Sequence, residues 1–365
     1  MSETGDETQD PRDDTMAGEK IEVPPELEEF RTLDGFSVGP PTDEILRLLA
    51  HLPWQSLDLD GTNVDDRSLR LLGRGGLFRG VLSHFGLWRA KRITDASLAF
   101  IASTFASIQH LILDGCTACT NEGLAFCQRI AGLRQLTVSN WSTDGSGLAH
   151  VRSIAGLNSL EVTHHASFDS NNLRHLAGMP LATLSLRGSP VKAADFAHLQ
   201  QIKHLVDVDL TTTGLDDAGL AFVCDMGWLE SLRFDNCPGV TNNGFALLPS
   251  LKLLKSLRSG CPVDDEGARA VLELPSLEEL RFTRANITDL TVTGLLGRTQ
   301  IQYLGFDGCK GVTDASLPTL AQMAGRLKKL SLRGTGMTRA AALTLMAVLP
   351  GDSVTFAEKL EYEFT

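Results

Sequence analysis

The chain has 365 residues, of which 42% are hydrophobic and 21% charged but only 6% aromatic, so aliphatic side chains, leucine above all, must build its core. Its formal net charge of -12 argues against nucleic acid or an anionic membrane as partner, since a binder of phosphates carries a basic face. No run approaches the roughly 20 apolar residues of a membrane span, and the amino terminus is acidic where a signal peptide is basic and then apolar, so a cytoplasmic protein is expected.

In chain order, residues 1–20 hold seven acidic and two basic side chains without an apolar period. Such a segment has too little to bury, and residues 1–40 are expected as a disordered acidic arm and approach segment. From Thr42 the run Asp-Glu-Ile-Leu-Arg-Leu-Leu has helical spacing and a capped start. It predicts an amino-terminal cap helix over 41–51 that covers the leucines of the first repeat.

Residues 52–357 are organised by one period, an apolar-x-apolar pair that returns about every 24 residues. Thirteen copies fall at Leu57/Leu59, Phe85/Leu87, Leu111/Leu113, Leu136/Val138, Leu160/Val162, Leu184/Leu186, Val208/Leu210, Leu232/Phe234, Leu257/Ser259, Leu280/Phe282, Leu304/Phe306, Leu330/Leu332 and Val354/Phe356. The alternation marks a short strand, and the second half of each unit switches to helical spacing, as in Asp217, Leu220 and Val223. Between them stand Thr94-Asp95, Thr120-Asn121, Thr241-Asn242, Thr288-Asp289, Thr313-Asp314 and the Asp pairs 65–66, 216–217 and 264–265, side chains suited to capping the helix start. The Asp pairs lack the ligand spacing of a calcium loop.

No unit of this size buries its leucines alone. The predicted fold is therefore an α/β solenoid, a horseshoe of about 13 strand-turn-helix repeats with a parallel inner sheet and outer helices. At about 4.8 Å per strand, thirteen strands line roughly 58 Å of inner surface. Residues 358–365 alternate apolar and charged side chains, which predicts a strand that protects the last open edge.

Segments such as Leu111-Ile-Leu-Asp-Gly-Cys116, Phe234-Asp-Asn-Cys237 and Phe306-Asp-Gly-Cys309, each followed by Thr-Asn or Thr-Asp, resemble cysteine-containing leucine-rich repeats of the ribonuclease-inhibitor-like group. The resemblance covers about residues 52–357. It implies the horseshoe fold and a range of roles: inhibitors, GTPase-activating proteins and the substrate-receiving arms of ubiquitin ligases. Nothing ahead of the repeats reads as an F-box.

Residues that tempt an enzymatic reading have structural explanations. Cys116-x-x-Cys119 has redox or zinc-like spacing, but Cys116 shares its repeat position with Cys237 and Cys309, where a small polar side chain serves the turn. The seven cysteines are expected as reduced thiols. Gly73-Arg-Gly-Gly-Leu-Phe-Arg-Gly80 has the glycines of a phosphate loop without its lysine or helix, and reads as an inserted loop. His164-His165 reads as a loop pair. His84 and His110 fall in one column on neighbouring strands with Asp114 close by, a metal-capable placement whose plainer reading is a contact surface. No catalytic constellation, metal or cofactor is called for, and an enzyme centred on His84 and His110 is the least favoured function.

On a strand x-Leu-x-Leu-x the three x residues face the concave surface, so the face can be read directly. Its amino-terminal end offers Asp58, Asp60, His84, Trp88, His110 and Asp114, and the central column continues Glu161, Ser185, Asp209, Arg233, Arg258, Arg281. Arg187, Asp207, Asp235 and Glu279 flank that column, and Tyr303, Lys329 and Arg333 extend it. Stacked guanidinium groups repel unless paired or solvated. They form either a neutralised ladder or a recognition patch, because arginine suits carboxylates and interface hot spots. With these side chains placed in solvent, removal of Arg233, Arg258 and Arg281 together is expected to leave folding intact. The function expected is a non-enzymatic, monomeric scaffold that holds a protein partner on this face. A regulator of an enzyme, as inhibitor, GTPase-activating protein or ligase substrate receptor, is the alternative.

Overall fold

The computed structural model describes residues 23–32, 35–75, 80–349 and 353–357, with the backbone of two short strands at 15–16 and 19–20. Fourteen strands form one parallel sheet in which every strand pairs with its neighbours in sequence. They are β1 (Gly35–Val38), β2 (Ser56–Asp60), β3 (His84–Trp88), β4 (His110–Asp114), β5 (Gln135–Ser139), β6 (Ser159–Thr163), β7 (Thr183–Ser185), β8 (Asp207–Asp209), β9 (Ser231–Asp235), β10 (Ser256–Gly260), β11 (Glu279–Phe282), β12 (Tyr303–Gly305), β13 (Lys329–Ser331) and β14 (Val354–Thr355). Short α-helices such as Asp95–Thr104 and Asp217–Cys224 alternate on the outer side with 3-10 segments such as Asn121–Arg129 and Ala193–Gln201. A 3-10 segment rises about 2.0 Å per residue against 1.5 Å in an α-helix, so it crosses the same outer face with fewer residues.

All thirteen pairs expected from the period lie on these strands or at their ends. The first member of each pair is in register with the next, from Leu57 through Phe85, Leu111 and Leu136 to Leu304, Leu330 and Val354. Every residue of this column is buried. Each side chain removed from water there contributes about 1.5–3 kcal/mol, which is why neighbouring units cannot slip against each other by one residue without exposing a whole row. Ser259 interrupts the second leucine column yet is fully buried, with its hydroxyl accepting from the Cys261 amide at 3.3 Å. Its register neighbours are Phe234 and Phe282, and Phe245 packs against both at centroid distances of 5.8 and 6.2 Å. The one small side chain of the column thus lies between two phenylalanines that a third ring bridges.

The sheet begins earlier than the thirteen units imply. β1 pairs in parallel with β2, Val38 opposite Leu59, and a helix at Pro25–Glu28 precedes it. The expected boundary of a disordered segment ending at residue 40 therefore shifts, since residues 23–32 and 35–40 are part of the folded body. This strand carries the apolar alternation Phe36-x-Val38 at 21 residues from Leu57, too short a step for the 24-residue period to reveal it. The cap helix is present at Asp43–Leu49, with Thr42 accepting from the Ile45 amide. Of the acidic arm only Thr15–Met16 and Glu19–Lys20 are described, as an antiparallel pair. The core of the Gly73–Gly80 loop, residues 76–79, and the expected edge strand 358–365 lie outside the described residues.

The turn between strand and helix repeats one arrangement. The N-cap threonine accepts from an amide of its own helix, as Thr94 does from Ala96 at 3.2 Å. The aspartate after it reaches forward to the next repeat: Asp95 accepts from the Thr120 amide at 2.8 Å and hydroxyl at 2.6 Å, and Asp217 and Asp265 do the same with Thr241 and Thr288. The sequence alone suggests caps at both positions. Only the threonine, or the first Asp of a pair such as Asp216, caps its own helix, and the second residue ties neighbours together.

Candidate functional site

On the concave face the strand registry aligns Glu161, Ser185, Asp209, Arg233, Arg258 and Arg281 in one column, as expected from sequence. Each of the three arginines has its own acid. Arg233 Nη2 donates to both carboxylate oxygens of Asp207 at 2.8 and 2.9 Å, Arg258 Nε lies 2.6 Å from Asp235, and Arg281 Nε donates to Glu279 at 2.6 Å. The arrangement is the neutralised ladder. Asp235 is only 8% exposed, and burial pushes its carboxyl up even though Arg258 pulls the other way. Its Oδ1 has no hydrogen-bond partner among the described residues. Against the expectation that losing all three arginines leaves folding intact stands Asp235, a buried carboxylate whose ion-pair partner is Arg258.

Two other charges on this face stay open. Arg187 and Glu161, on neighbouring units, form no direct salt bridge among the described residues, although Arg187 acts at longer range on the Asp235 carboxyl. They line a hollow of about 600 Å³ that runs from Trp88 on β3 to Arg233 on β9 and also touches His164 and Asp209. Trp88, at 43% exposure, is the large aromatic side chain at its amino-terminal end. Asp209 accepts from the Thr211 amide at 2.9 Å. Tyr303, Lys329 and Arg333 belong to a separate, smaller hollow of about 110 Å³ together with Arg281 and Asp307. The two hollows are joined along the sheet by Arg258, which stands in register between Arg233 and Arg281.

The rim of the larger hollow contains residues outside the contact surface expected from sequence. Asn140 and His164 come directly after β5 and β6 with φ of 55° and 58°, in a column of left-handed turns shared with Arg89, Gly115, Gly188, Thr212, Asn236, Arg284, Gly308 and Gly334. The chain turns off the sheet here in every such unit, and recurring Gly or Asn at that offset was the available signal. Asn140 donates to Asp114 Oδ1 at 2.6 Å. The pair His164-His165 is split: His164 lines the hollow, while His165 is buried with Nε2 3.1 Å from the Val138 carbonyl oxygen. Burial holds the His165 imidazole below its ordinary pKa.

At the amino-terminal end, Asp58, His84, Trp88 and His110 form a connected network. Asp58 Oδ1 accepts from Trp88 Nε1 at 3.1 Å and lies 3.1 Å from His84 Nε2. The other His84 nitrogen, Nδ1, is 3.0 Å from Nδ1 of His110, with the two rings nearly perpendicular. Gly86 makes this possible, since a Cβ there would stand 1.9 Å from Asp58 Oδ1. Burial lowers the His110 pKa, reinforced by the neighbouring His84 and opposed by Asp58. Burial alone would raise the Asp58 carboxyl, but the hydrogen bonds from His84 and Trp88 bring it below its usual range. Asp114, expected beside the histidines, is instead engaged by Asn140 and the Arg89 amide.

All seven cysteines are free and buried. Cys237 Sγ donates to the carbonyls of Leu210 at 3.3 Å and Asp235 at 3.5 Å, and Cys116 and Cys309 make longer contacts of the same kind. Burial pushes the Cys261 and Cys309 thiols up to about 12, so these are structural side chains and poor nucleophiles. Among the described residues no helix is long and apolar enough to cross a membrane.

Neither a family model nor a curated protein matches the sequence. Similarity appears at the level of structure. A crystal structure of Rad7 in complex with Elc1 from yeast superposes with a TM-score of 0.61 at 16% identity, covering 86% of this chain and 83% of that one. An internalin, InlF of Listeria monocytogenes, superposes with a TM-score of 0.54 at 19% identity, covering 88% of this chain and 90% of that one. Together with the fourteen-stranded parallel sheet and its outer helices, these likenesses establish the fold of this chain as a leucine-rich-repeat solenoid.

Proposed function

We propose that this chain is a non-enzymatic scaffold that binds a protein partner on the concave face, with Trp88, His84, His110, Arg187, Asp207, Asp209, Arg233, Asp235, Arg258, Arg281, Tyr303 and Arg333 as the candidate contact surface. The observation that carries the reading is the hollow from β3 to β9, which combines an exposed indole with two charges of opposite sign left unpaired, Glu161 and Arg187. Exposed aromatic and arginine side chains on a rigid concave sheet are the type that anchors partners. The similar fold of Rad7, crystallised with Elc1, supports a role in assembly with another protein. Within this reading the ladder arginines 233, 258 and 281 shape the face, and the open charges choose the partner. The equivalent cysteines 116, 237 and 309 support the ribonuclease-inhibitor-like type, and seven buried free thiols fit a reducing compartment such as the cytoplasm.

The test is crosslinking with mass spectrometry in source extract, followed by binding of the recovered partner to purified variants. Trp88→Ala, Arg187→Glu and Glu161→Arg should each weaken binding at least about fivefold, the loss of more than about 1 kcal/mol typical of an interface anchor. Arg269→Ala, on the outer side, should not change it. A partner whose affinity is indifferent to all three concave variants would remove the concave face as the site.

A further inference from the structure

We propose that His84 and His110 form a two-imidazole binding site for a late first-row divalent cation such as Zn²⁺ or Cu²⁺, with Asp58 as the outer carboxylate that orients the first ring. The two side chains leave β3 and β4 at paired positions of the sheet, and their Nδ1 atoms face each other across 3.0 Å. Two imidazole nitrogens on one tetrahedral zinc, each at about 2.0–2.1 Å, stand about 3.3 Å apart. A shift of a few tenths of an ångström with a turn of the rings opens the gap to that separation.

The hydrogen-bond pattern decides which nitrogens are available. Asp58 is a carboxylate that accepts from Trp88 Nε1 and can only accept, so His84 Nε2, 3.1 Å away, must carry the proton, and the lone pair of the neutral ring then lies on Nδ1, toward His110. A histidine that ligates a metal through one nitrogen while donating the other to a carboxylate is the usual outer-shell arrangement. Opposite it, His110 supplies the proton now shared between the two Nδ1 atoms. Its Nε2 has no partner among the described residues. When a cation enters, that proton moves to His110 Nε2, both Nδ1 lone pairs become ligands, and no net proton is released from the neutral pair.

The surroundings leave room for the remaining ligands. His84 is 25% exposed at the side chain, so solvent reaches the pair, while the space over Gly86 is taken by the Asp58 carboxylate that orients the ring. The described residues contain no cluster of three or more His, Cys, Asp or Glu side chains placed to hold a metal. Water or a ligand from a bound partner must therefore complete the coordination. Two neutral imidazoles select Zn²⁺, Cu²⁺ or Ni²⁺ over Mg²⁺ and Ca²⁺, which take oxygen ligands.

The experiment is calorimetric titration of the metal-free full chain with Zn²⁺ at neutral pH, with Mg²⁺ as contrast. One saturable Zn²⁺ site is expected, absent in His84→Ala and in His110→Ala and weakened about tenfold or more in Asp58→Asn, while Mg²⁺ gives no saturable heat. Thermal melting of each variant verifies that it is folded. On the unaltered chain, long-range ¹H–¹⁵N spectra should show the Nδ1 signals of these two rings shifting with Zn²⁺ while the other histidines stay in place. Zn²⁺ binding that persists in the double histidine variant, or the lack of any saturable binding by the unaltered chain, overturns the proposal. Neither result touches the protein-partner reading, whose variants are scored without added metal.

Discussion

Asp289 and Thr313 stand 24 residues apart in successive repeats and are joined twice: Asp289 Oδ1 accepts from the Thr313 amide at 2.8 Å, and Oδ2 accepts from its hydroxyl at 2.6 Å. The same hydroxyl accepts from the Ala315 amide at 3.3 Å, so one oxygen closes a helix start and couples two units. Ser316 also donates to Asp289 Oδ1. A solenoid is only as cooperative as the contacts between neighbours, and this link recurs from Asp66 to Asp314.

Replacing Thr313 by Val keeps the shape and removes the hydroxyl. The loss of a cap and of a charge-assisted hydrogen bond should cost about 1–3 kcal/mol in urea denaturation. Because the change sits between repeats, it should also lower the slope of the transition as the array begins to unfold in parts. A neutral result would show that the link is geometric and carries no energy.

The same link predicts sensitivity to acid. Burial alone would raise the carboxyls of Asp66, Asp265 and Asp289, but hydrogen bonds from Ser97 and Thr94, from Thr288 and Thr291, and from Ser316 and Thr313 bring them below the ordinary value of 3.8. A carboxyl depressed in the folded state contributes stability that is complete above its unfolded pKa and disappears as pH falls through the folded one. Melting temperature should therefore be level down to about pH 5 and fall steeply below about pH 4. In the triple Asp→Asn variant the neutral-pH melting temperature should be lower and the acid slope shallower, whereas equal slopes would assign acid unfolding to other groups.

Inward and outward positions of the strands should separate by energy. Leu186→Ala opens a cavity in the core and should cost about 2–5 kcal/mol, while Ser185→Ala, on the concave face, should change stability by a few tenths at most. Ser259 behaves as an exception: restoring the leucine of the pattern by Ser259→Leu forces a side chain against Phe234 and Phe282 and should cost about 1–3 kcal/mol. Chemical denaturation of the three variants decides it, and a stabilised Ser259→Leu protein would contradict the packing described.

Arg258→Ala should destabilise by about 1–3 kcal/mol, because it strands the Asp235 carboxylate. The value is below that of a fully buried pair, since Arg258 is itself 45% exposed. Adding Asp235→Asn should recover most of the loss. If the single variant is as stable as the parent chain, the arginine column is free of structural duty and all of it becomes available to a partner.

Strand placement, register and the identity of the concave columns were legible in the sequence, because a 24-residue period with apolar alternation leaves one way to bury the thirteen pairs, apolar but for Ser259. β1 escaped since a single short step carries no periodicity. What the tertiary structure alone decided is how side chains on neighbouring strands and turns meet. The sequence showed Arg233, Arg258 and Arg281 in a column with acids nearby, but which acid each takes depends on rotamers across strands about 4.8 Å apart. It likewise placed Thr313 and Asp314 together at one turn. That Thr313 bonds backward to Asp289 while Asp314 bonds forward to Thr338 is a product of stacking, which brings residues 24 positions apart into contact. The union of Asp58, His84, Trp88 and His110 has the same origin, for it needs Gly86 to clear the space between strands, and a missing side chain acts only on what the fold puts beside it.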